Sequence, residues 1–350
     1  MKPQMDINLI REKNRYAVLR HLVHNSHVLR SDLSQITGVS TMTIKKVVDD
    51  LLERGLVTET KAESDFGRKP QALNLASQYG LAVCFNLSSK SAVTVTIKDI
   101  RGNTIAHHIR PVDGSHKEGL DDCIQFALET ISHSKMCCIG AGLAVPSVYN
   151  AQKDELNYDL IPSFQNWHPF SHMRQFFPRT NIRIMQDVRA AAIANSISLH
   201  TDSLFYLYLG EGVGGCHIQE GRILTGRFSM AGEIGQCLIE HNGSLCRLED
   251  IISVSAFQKA LKDTEDIVQT AARTVINLNW AFNPDTIVVG SSSPSYAAEV
   301  CAGAAGLFRK HYYSAIPNRI NIVCEDSHSD SATEGVFGLL VENWLQEAVR

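Results

Sequence analysis

The chain lacks an apolar run of about 18 residues, the length a membrane-spanning helix needs, and its charged start lacks the apolar core of a secretory leader. Its nine cysteines, Cys84, Cys123, Cys137, Cys138, Cys216, Cys237, Cys246, Cys301 and Cys324, are odd in number and scattered, with no pair at CxxC spacing. That pattern argues against a disulfide framework and points to a reducing cytoplasm. No short-period repeat occurs, and a strong charge of one sign is missing as well. The formal net charge of −4 nevertheless hides an asymmetry: residues 1–75 carry 12 Lys+Arg against 9 Asp+Glu, and the remainder 21 against 28. Only the first part suits a polyanion, and its excess of three cations is so small that specific affinity would need a dimer presenting two such heads. With 350 residues, 44% of them apolar, two or three domains with ordinary cores are expected.

What is present begins with two short amphipathic segments on either side of Gly38. Leu33 and Ile36 stand three apart behind a cap at Ser31, and Ile44, Val47, Val48, Leu51 and Leu52 mark one buried helical face. Ser40 is a suitable N-cap for the second helix, and Gly38 accepts the positive φ of a tight turn. The opposite face then carries Thr41, Thr43, Lys45 and Lys46 outward, which with Ser40 form a set able to meet base edges first and phosphate afterwards. Residues 8–24 place Ile10, Ala17, Val18 and Leu22 on a first helix. Gly55 ends the second helix of the pair, and two strands enclose the tip Gly67-Arg68-Lys69-Pro70, a wing that brings Arg68 and Lys69 to a minor groove or backbone phosphate. This three-helix head with a wing ends near Leu75, and residues 76–80 read as a hinge.

Beyond it the texture changes to short apolar runs alternating with helices, among them helices over about 117–133 and 188–197, and the pattern restarts near Ser203. A parallel or mixed sheet with crossover helices is the expected outcome. Five stretches, AGLAVPS, QDVRAAAIAN, LGEGVGG, GRFSMAGEIGQ and NPDTIVVG, resemble the ROK family, which groups sugar-responsive repressors with sugar kinases, and the wing tip resembles the GRRP-like tip of its repressor branch. The resemblance covers nearly the whole chain. It implies an α/β protein in which a winged helix-turn-helix domain (1–75) precedes a duplicated actin-like, ribonuclease-H-like, sugar-kinase-like body (80–350). Lobe one would take about 80–195 plus a C-terminal helix at about 331–350, and lobe two about 200–330.

The resemblance also assigns roles, and the departures from it are informative. Where such kinases have an Asp-x-Gly-Gly-Thr type turn for phosphate and metal, this chain has Asn86-Leu87-Ser88-Ser89-Lys90, with neither carboxylate nor glycine. The second phosphate loop, Gly210 to Gly215, keeps its glycines but gains Glu211, and a glycine-rich turn is also a plain hairpin. Asp187 matches the carboxylate that accepts a proton from a sugar hydroxyl; alternatively it only caps the helix starting at Val188. Gln186 replaces its Asn partner. Glu233 matches the Glu that accepts from two sugar hydroxyls, Gln236 replaces the family's zinc-ligating His, and Glu249 follows the place of the last cysteine. Only Cys246 remains of the CxCGxxGC zinc cluster, so no metal is expected. Asn166 and Trp167 fall at the mouth of the sugar cleft, where Trp167 stacks on a sugar or packs in the core. Ser291, Ser292 and Ser293 replace further glycines after Gly290 on the adenosine side.

The resulting expectation is a cytoplasmic transcription regulator, a repressor, that binds a DNA operator as a dimer or dimer of dimers. It would use no cofactor and perform no catalysis. A sugar or phosphosugar would bridge Asp187 to Glu233 and Glu249 and change the angle between lobes. A ligand-independent dimerisation scaffold is the alternative, and an active ATP-dependent sugar kinase a third.

Overall fold

The computed structural model describes residues 7–61, 71–76, 79–113, 115–134, 136–156, 164–260, 264–312, 321–325 and 330–350. The head contains α1 (Ile7–His24), β1 (Val28–Leu29), α2 (Arg30–Thr37), α3 (Thr41–Glu53), β2 (Val57–Lys61) and β3 (Gln71–Leu75). Val18, Leu19, Leu22, Leu33, Ile44, Val48 and Leu51 are fully enclosed and hold the three helices together. The helix pair turns at Gly38, whose φ of 67° is open to glycine at no steric cost. β1, β3 and β2 form a small antiparallel sheet in that order.

Four local expectations need correction. Ser31 does not cap α2: pairing of Val28 and Leu29 with Leu73 and Ala72 brings the chain into position early, so the helix begins at Arg30 behind an extended Leu29. Ile36 is 57% exposed, because the eight-residue α2 meets the core through Leu33 alone. Ile10 is exposed as well, since α1 buries only its second half, through Val18, Leu19, Leu22 and Val23. Of the expected hinge at 76–80, residues 77 and 78 lie outside the described residues, Ala76 is buried and donates its N–H to the Leu56 carbonyl at 3.0 Å, and Tyr79 and Gly80 already belong to the next strand.

The body follows as β4 (Tyr79–Asn86), β5 (Ala92–Asp99), β6 (Thr104–Pro111), α4 (His116–Ser134), β7 (Cys137–Val145), a small ladder β8 (Tyr149–Asn150) and β9 (Glu155–Leu156), α5 (Pro169–Phe176), β10 (Ile182–Gln186) and α6 (Asp187–Ser198). Then come β11 (Leu204–Leu209), β12 (Val213–Gln219), β13 (Arg222–Ile223), β14 (Leu238–His241), β15 (Ser244–Arg247), α7 (Leu248–Ile252), α8 (Val254–Lys259), α9 (Glu265–Phe282), β16 (Thr286–Ser291), α10 (Pro294–Tyr312), β17 (Ile322–Cys324) and α11 (Ser331–Ala348).

Two five-stranded sheets share one topology. The first has the order β10-β7-β4-β5-β6 and the second β17-β16-β11-β12-β13, so in each the first three strands form an antiparallel meander and the last two lie on its other side. A long helix precedes the fourth strand in both, α4 and α9, and a helix also precedes the fifth, the short α5 and the long α10. This is the duplicated, mixed-sheet α/β architecture expected of a sugar-kinase-like body.

The chain divides into two compact units: Met1–Leu143 with His168–Arg183 and Phe337–Arg350, and Ala144–Trp167 with Ile184–Val336. In the first, the head core continues into α11 through Val341, Leu345 and Val349. The second is built around Phe205, Leu207, Val275, Ile287, Val289 and Tyr296, with a smaller cluster of Val188, Ala192, Tyr206 and Cys216.

Candidate functional site

Two places could carry function: the outer face of α3 and a polar string in the second unit. On α3, Ser40 is the N-cap and its hydroxyl accepts from the Thr43 N–H at 3.3 Å. The Thr43 hydroxyl lies 2.9 Å from that of Ser40, so these two side chains are occupied in part by each other. Thr41, Lys45 and Lys46 are exposed, and beside them Met42 is 71% exposed. Arg68 and Lys69 lie outside the described residues.

The acids behind this face are neutralised within the unit. Arg30 reaches Asp49 at 2.9 Å and Glu59 at 2.7 Å, tying α2 to α3 and the wing strand. Arg15 grips Asp50 with two hydrogen bonds, 2.7 and 2.9 Å, and donates a third to the Val349 carbonyl at 3.0 Å. The fork of a guanidinium suits this use. Tyr16 donates to Glu342 on α11 at 2.7–2.8 Å, and burial together with that carboxylate pushes its phenol up to about 12. With Asp49, Asp50 and Glu59 paired, Lys45 and Lys46 are exposed cations of α3, with Glu53 exposed two turns further along the helix. Sequence reasoning missed Arg15 and Arg30 as braces; no local signal links Arg15 to a carbonyl 334 residues away.

In the second unit, β10 ends at Gln186 and α6 begins at Asp187. Gln186 Nε2 donates to Glu233 Oε1 at 3.0 Å. Glu233 opens a single 3-10 turn, Ile234–Gln236, and Gln236 Nε2 donates to Glu249 Oε1 at 3.0 Å. Glu249 also pairs with Arg247 at 2.8 Å, and Arg247 with Asp250 at 2.9 Å. Asp187, next in the string, accepts from the Val188 N–H at 2.7 Å. Five of the six expected sugar-side residues therefore form one continuous polar ribbon. The link expected of a ligand, from the end of β10 to Glu233, is already made by Gln186. Asn166 is exposed with φ 54°, and Trp167 is buried and stacked on Phe164 at 5.1 Å, its core-packing alternative.

At the two turns that the resemblance assigns to phosphate, the chain's own groups lie close. Asn86 Oδ1 accepts from the Ser88 N–H at 2.9 Å, closing its own turn. In the Gly210–Gly215 turn no glycine has a positive φ; a Cβ at Gly210 would strike the Tyr208 ring, at Gly214 Val188, and at Gly215 Phe205 and Ile234. These glycines make room for the protein's own side chains. Past β16, the space over Gly290 is taken by the Tyr206 hydroxyl and the Glu325 carboxylate. Glu325 is held there by Tyr206 at 2.8 Å and Asn195 at 2.8 Å. The Glu325 carboxylate over Gly290 and the side chains packed against the glycine turn do not fit the anionic phosphates of a nucleotide.

Zinc does not fit either. Among the described residues no three His, Cys, Asp or Glu side chains converge as a metal site. The cysteine loop has become the hairpin β14–β15, turning at Asn242 and Gly243, both with positive φ. An Asn-Gly pair is the strongest short hairpin signal, and it was legible in the sequence. His241 instead faces Asp266 at 3.5 Å.

The ROK family model matches residues 90–269, and the chain belongs to that family. The xylose repressor of Bacillus subtilis (strain 168) is 20% identical over 380 residues, covering 97% of this chain and 98% of that protein. A ROK family transcriptional regulator described as a homologue of the Escherichia coli MLC protein superposes with a TM-score of 0.74 at 16% identity, covering 97% of this chain and 99% of the other. A ROK family glucokinase from Streptomyces griseus, in complex with glucose and AMPPNP, superposes at 0.60 and 13% identity over 74% of this chain and 99% of its own.

Proposed function

We propose that this protein is a sequence-specific DNA-binding transcriptional repressor of the cytoplasm, acting as a homodimer or dimer of dimers, whose sugar-kinase-like body senses a sugar without phosphorylating it. The carrying observation is the contrast between a braced recognition helix, with Thr41, Lys45 and Lys46 exposed beside Ser40 and Thr43, and a body whose phosphate turns are filled by its own side chains. Likeness to a xylose repressor over nearly the whole of both chains supports the same reading. The head would be residues 1–75, reading a palindromic operator with α3 in the major groove and Arg68 and Lys69 at the wing.

Asp187, Glu233 and Glu249 would accept hydrogen bonds from sugar hydroxyls, with Gln186, Gln236 and Asn166 around them. Asp187, a general base in a working kinase, becomes a binding contact. Ligand acts only through different affinities for two states of the protein, and about 1.4 kcal/mol of coupling changes DNA occupancy tenfold. The scaffold reading draws support from Gln186 and Gln236, which satisfy Glu233 and Glu249 without any ligand.

The test is binding of the full chain to an operator selected from random duplexes. Lys45→Ala with Lys46→Ala should weaken that binding and flatten its salt dependence; unchanged affinity at two salt concentrations contradicts the assignment of α3. Consumption of ATP with any hexose would restore the kinase reading.

A further inference from the structure

The outer face of α3 has an apolar side chain at its centre. Ile44, Val47, Val48 and Leu51 form the buried stripe of the helix, and at 3.6 residues per turn Met42 falls on the opposite side, in line with Lys45 and Lys46 one turn further on. Met42 is 71% exposed, more than any other large apolar side chain among the described residues of the head. The hydroxyls nearest to it are engaged in part with each other: Ser40 Oγ accepts from the Thr43 N–H at 3.3 Å and lies 2.9 Å from the Thr43 hydroxyl. A single exposed apolar side chain on a protein surface needs no explanation. One at the second residue of a recognition helix, between hydroxyls and lysines, stands where such helices read base edges.

Chemistry narrows what Met42 reads there. A thioether donates no hydrogen bond and accepts only weakly, so the donor and acceptor pattern of a base edge offers it little. The apolar group that the major groove presents is the C5-methyl of thymine. Methionine, unbranched and polarizable, adapts readily to such an irregular contact. We infer that Met42 is a specificity-determining residue that packs on a thymine methyl in each operator half-site. Lys45 and Lys46, one turn along the same face, hold phosphate whatever the sequence, and Met42 adds a base preference that they do not supply. The inference rests on the reading of α3 as the recognition helix.

The experiment uses the full chain and an operator selected from random duplexes, with each thymine replaced in turn by deoxyuridine, which removes only the methyl. One thymine in each half-site should be sensitive. Loss of its methyl should weaken wild-type binding about fourfold, and loss of both symmetric methyls about 15-fold, the effect of returning one methyl-sized group to water at each site. Met42→Ala should melt as the wild type does, bind the thymine duplex at least about fourfold more weakly, and bind thymine and uracil alike at that position while keeping the wild-type response at all others. Met42→Leu, apolar and similar in volume, should retain the uracil penalty. A Met42→Ala protein as sensitive to every methyl as the wild type, or a wild type sensitive to none, overturns the inference. So does a loss of affinity that is equal for all duplexes, the mark of a protein–protein contact through Met42. If Lys45→Ala with Lys46→Ala still flattens the salt dependence in those cases, α3 remains the recognition helix; if that pair changes nothing, the reading of α3 and the inference fall together.

Discussion

The two five-stranded sheets have the same strand order, and the turn after the first strand of each is where a kinase of this family would hold phosphate. The chain's own groups occupy the two turns in different ways. After β4 the residues themselves are changed, and Asn86 spends its side chain on the Ser88 N–H. After β11 the glycines are kept, and Tyr208, Val188, Phe205 and Ile234 stand against three of them, Gly210, Gly214 and Gly215. Retention of a motif is therefore not, by itself, evidence of a retained site. A glycine needed for close packing is as constrained as one needed for a ligand, and only the identity of its neighbours separates the two cases.

The sharpest way to break this comparison is to fill one turn and empty the other. Gly215→Ala drives a methyl against Phe205 and Ile234 and should cost about 1–3 kcal/mol, the usual range for overpacking, visible in denaturant midpoints. Ser89→Gly after β4 should change stability by about 0.5 kcal/mol or less, since an exposed turn loses no packing. Equal effects at the two turns would mean that the glycines of the second are not packing residues.

A second contrast sets the exposed face of α3 against its braced back. Lys45→Ala with Lys46→Ala should leave melting unchanged and reduce the slope of log affinity against log salt by about 2, roughly one for each phosphate that a lysine no longer neutralises. Ser40→Ala should do the opposite first, costing about 1 kcal/mol of stability through removal of the cap. Tyr16→Phe removes the bond to Glu342 and should cost about 1 kcal/mol at neutral pH.

Its pH dependence follows from the sign of the shift. The folded phenol, at about 12, lies above its unfolded value of 10.0, so its contribution is full below pH 10 and is lost as pH rises through about 12. Chemical unfolding of wild type and Tyr16→Phe should accordingly converge over that window. Partial exposure of the ring keeps the effect modest.

The head was legible because its information is local. Helical spacing placed α1, α2 and α3, and Ser40 and Gly38 marked the turn between the last two. The misreadings there came from distant partners: β1 pairs with β3, far along the chain, and moves the start of α2 from Ser31 to Arg30. Ile36 followed the right period on a helix too short to bury it. In the body, motif resemblance singled out Glu233 and Glu249 but could not show that Gln186 and Gln236 donate to them, because each pairing depends on how separate elements pack. The hairpin at Asn242 and Gly243 has a local signal in the sequence, the Asn-Gly pair itself. Arg15, linking Asp50 to Val349, depends on both ends of the chain and left no local trace.

On the proposed function, neither turn of the duplicated body takes a nucleotide phosphate. Calorimetric titration of magnesium–ATP into the full chain, alone and with a sugar that raises its melting temperature, measures this most directly. No saturable heat at millimolar nucleotide is the expected result; a saturable isotherm, with or without sugar, would contradict it.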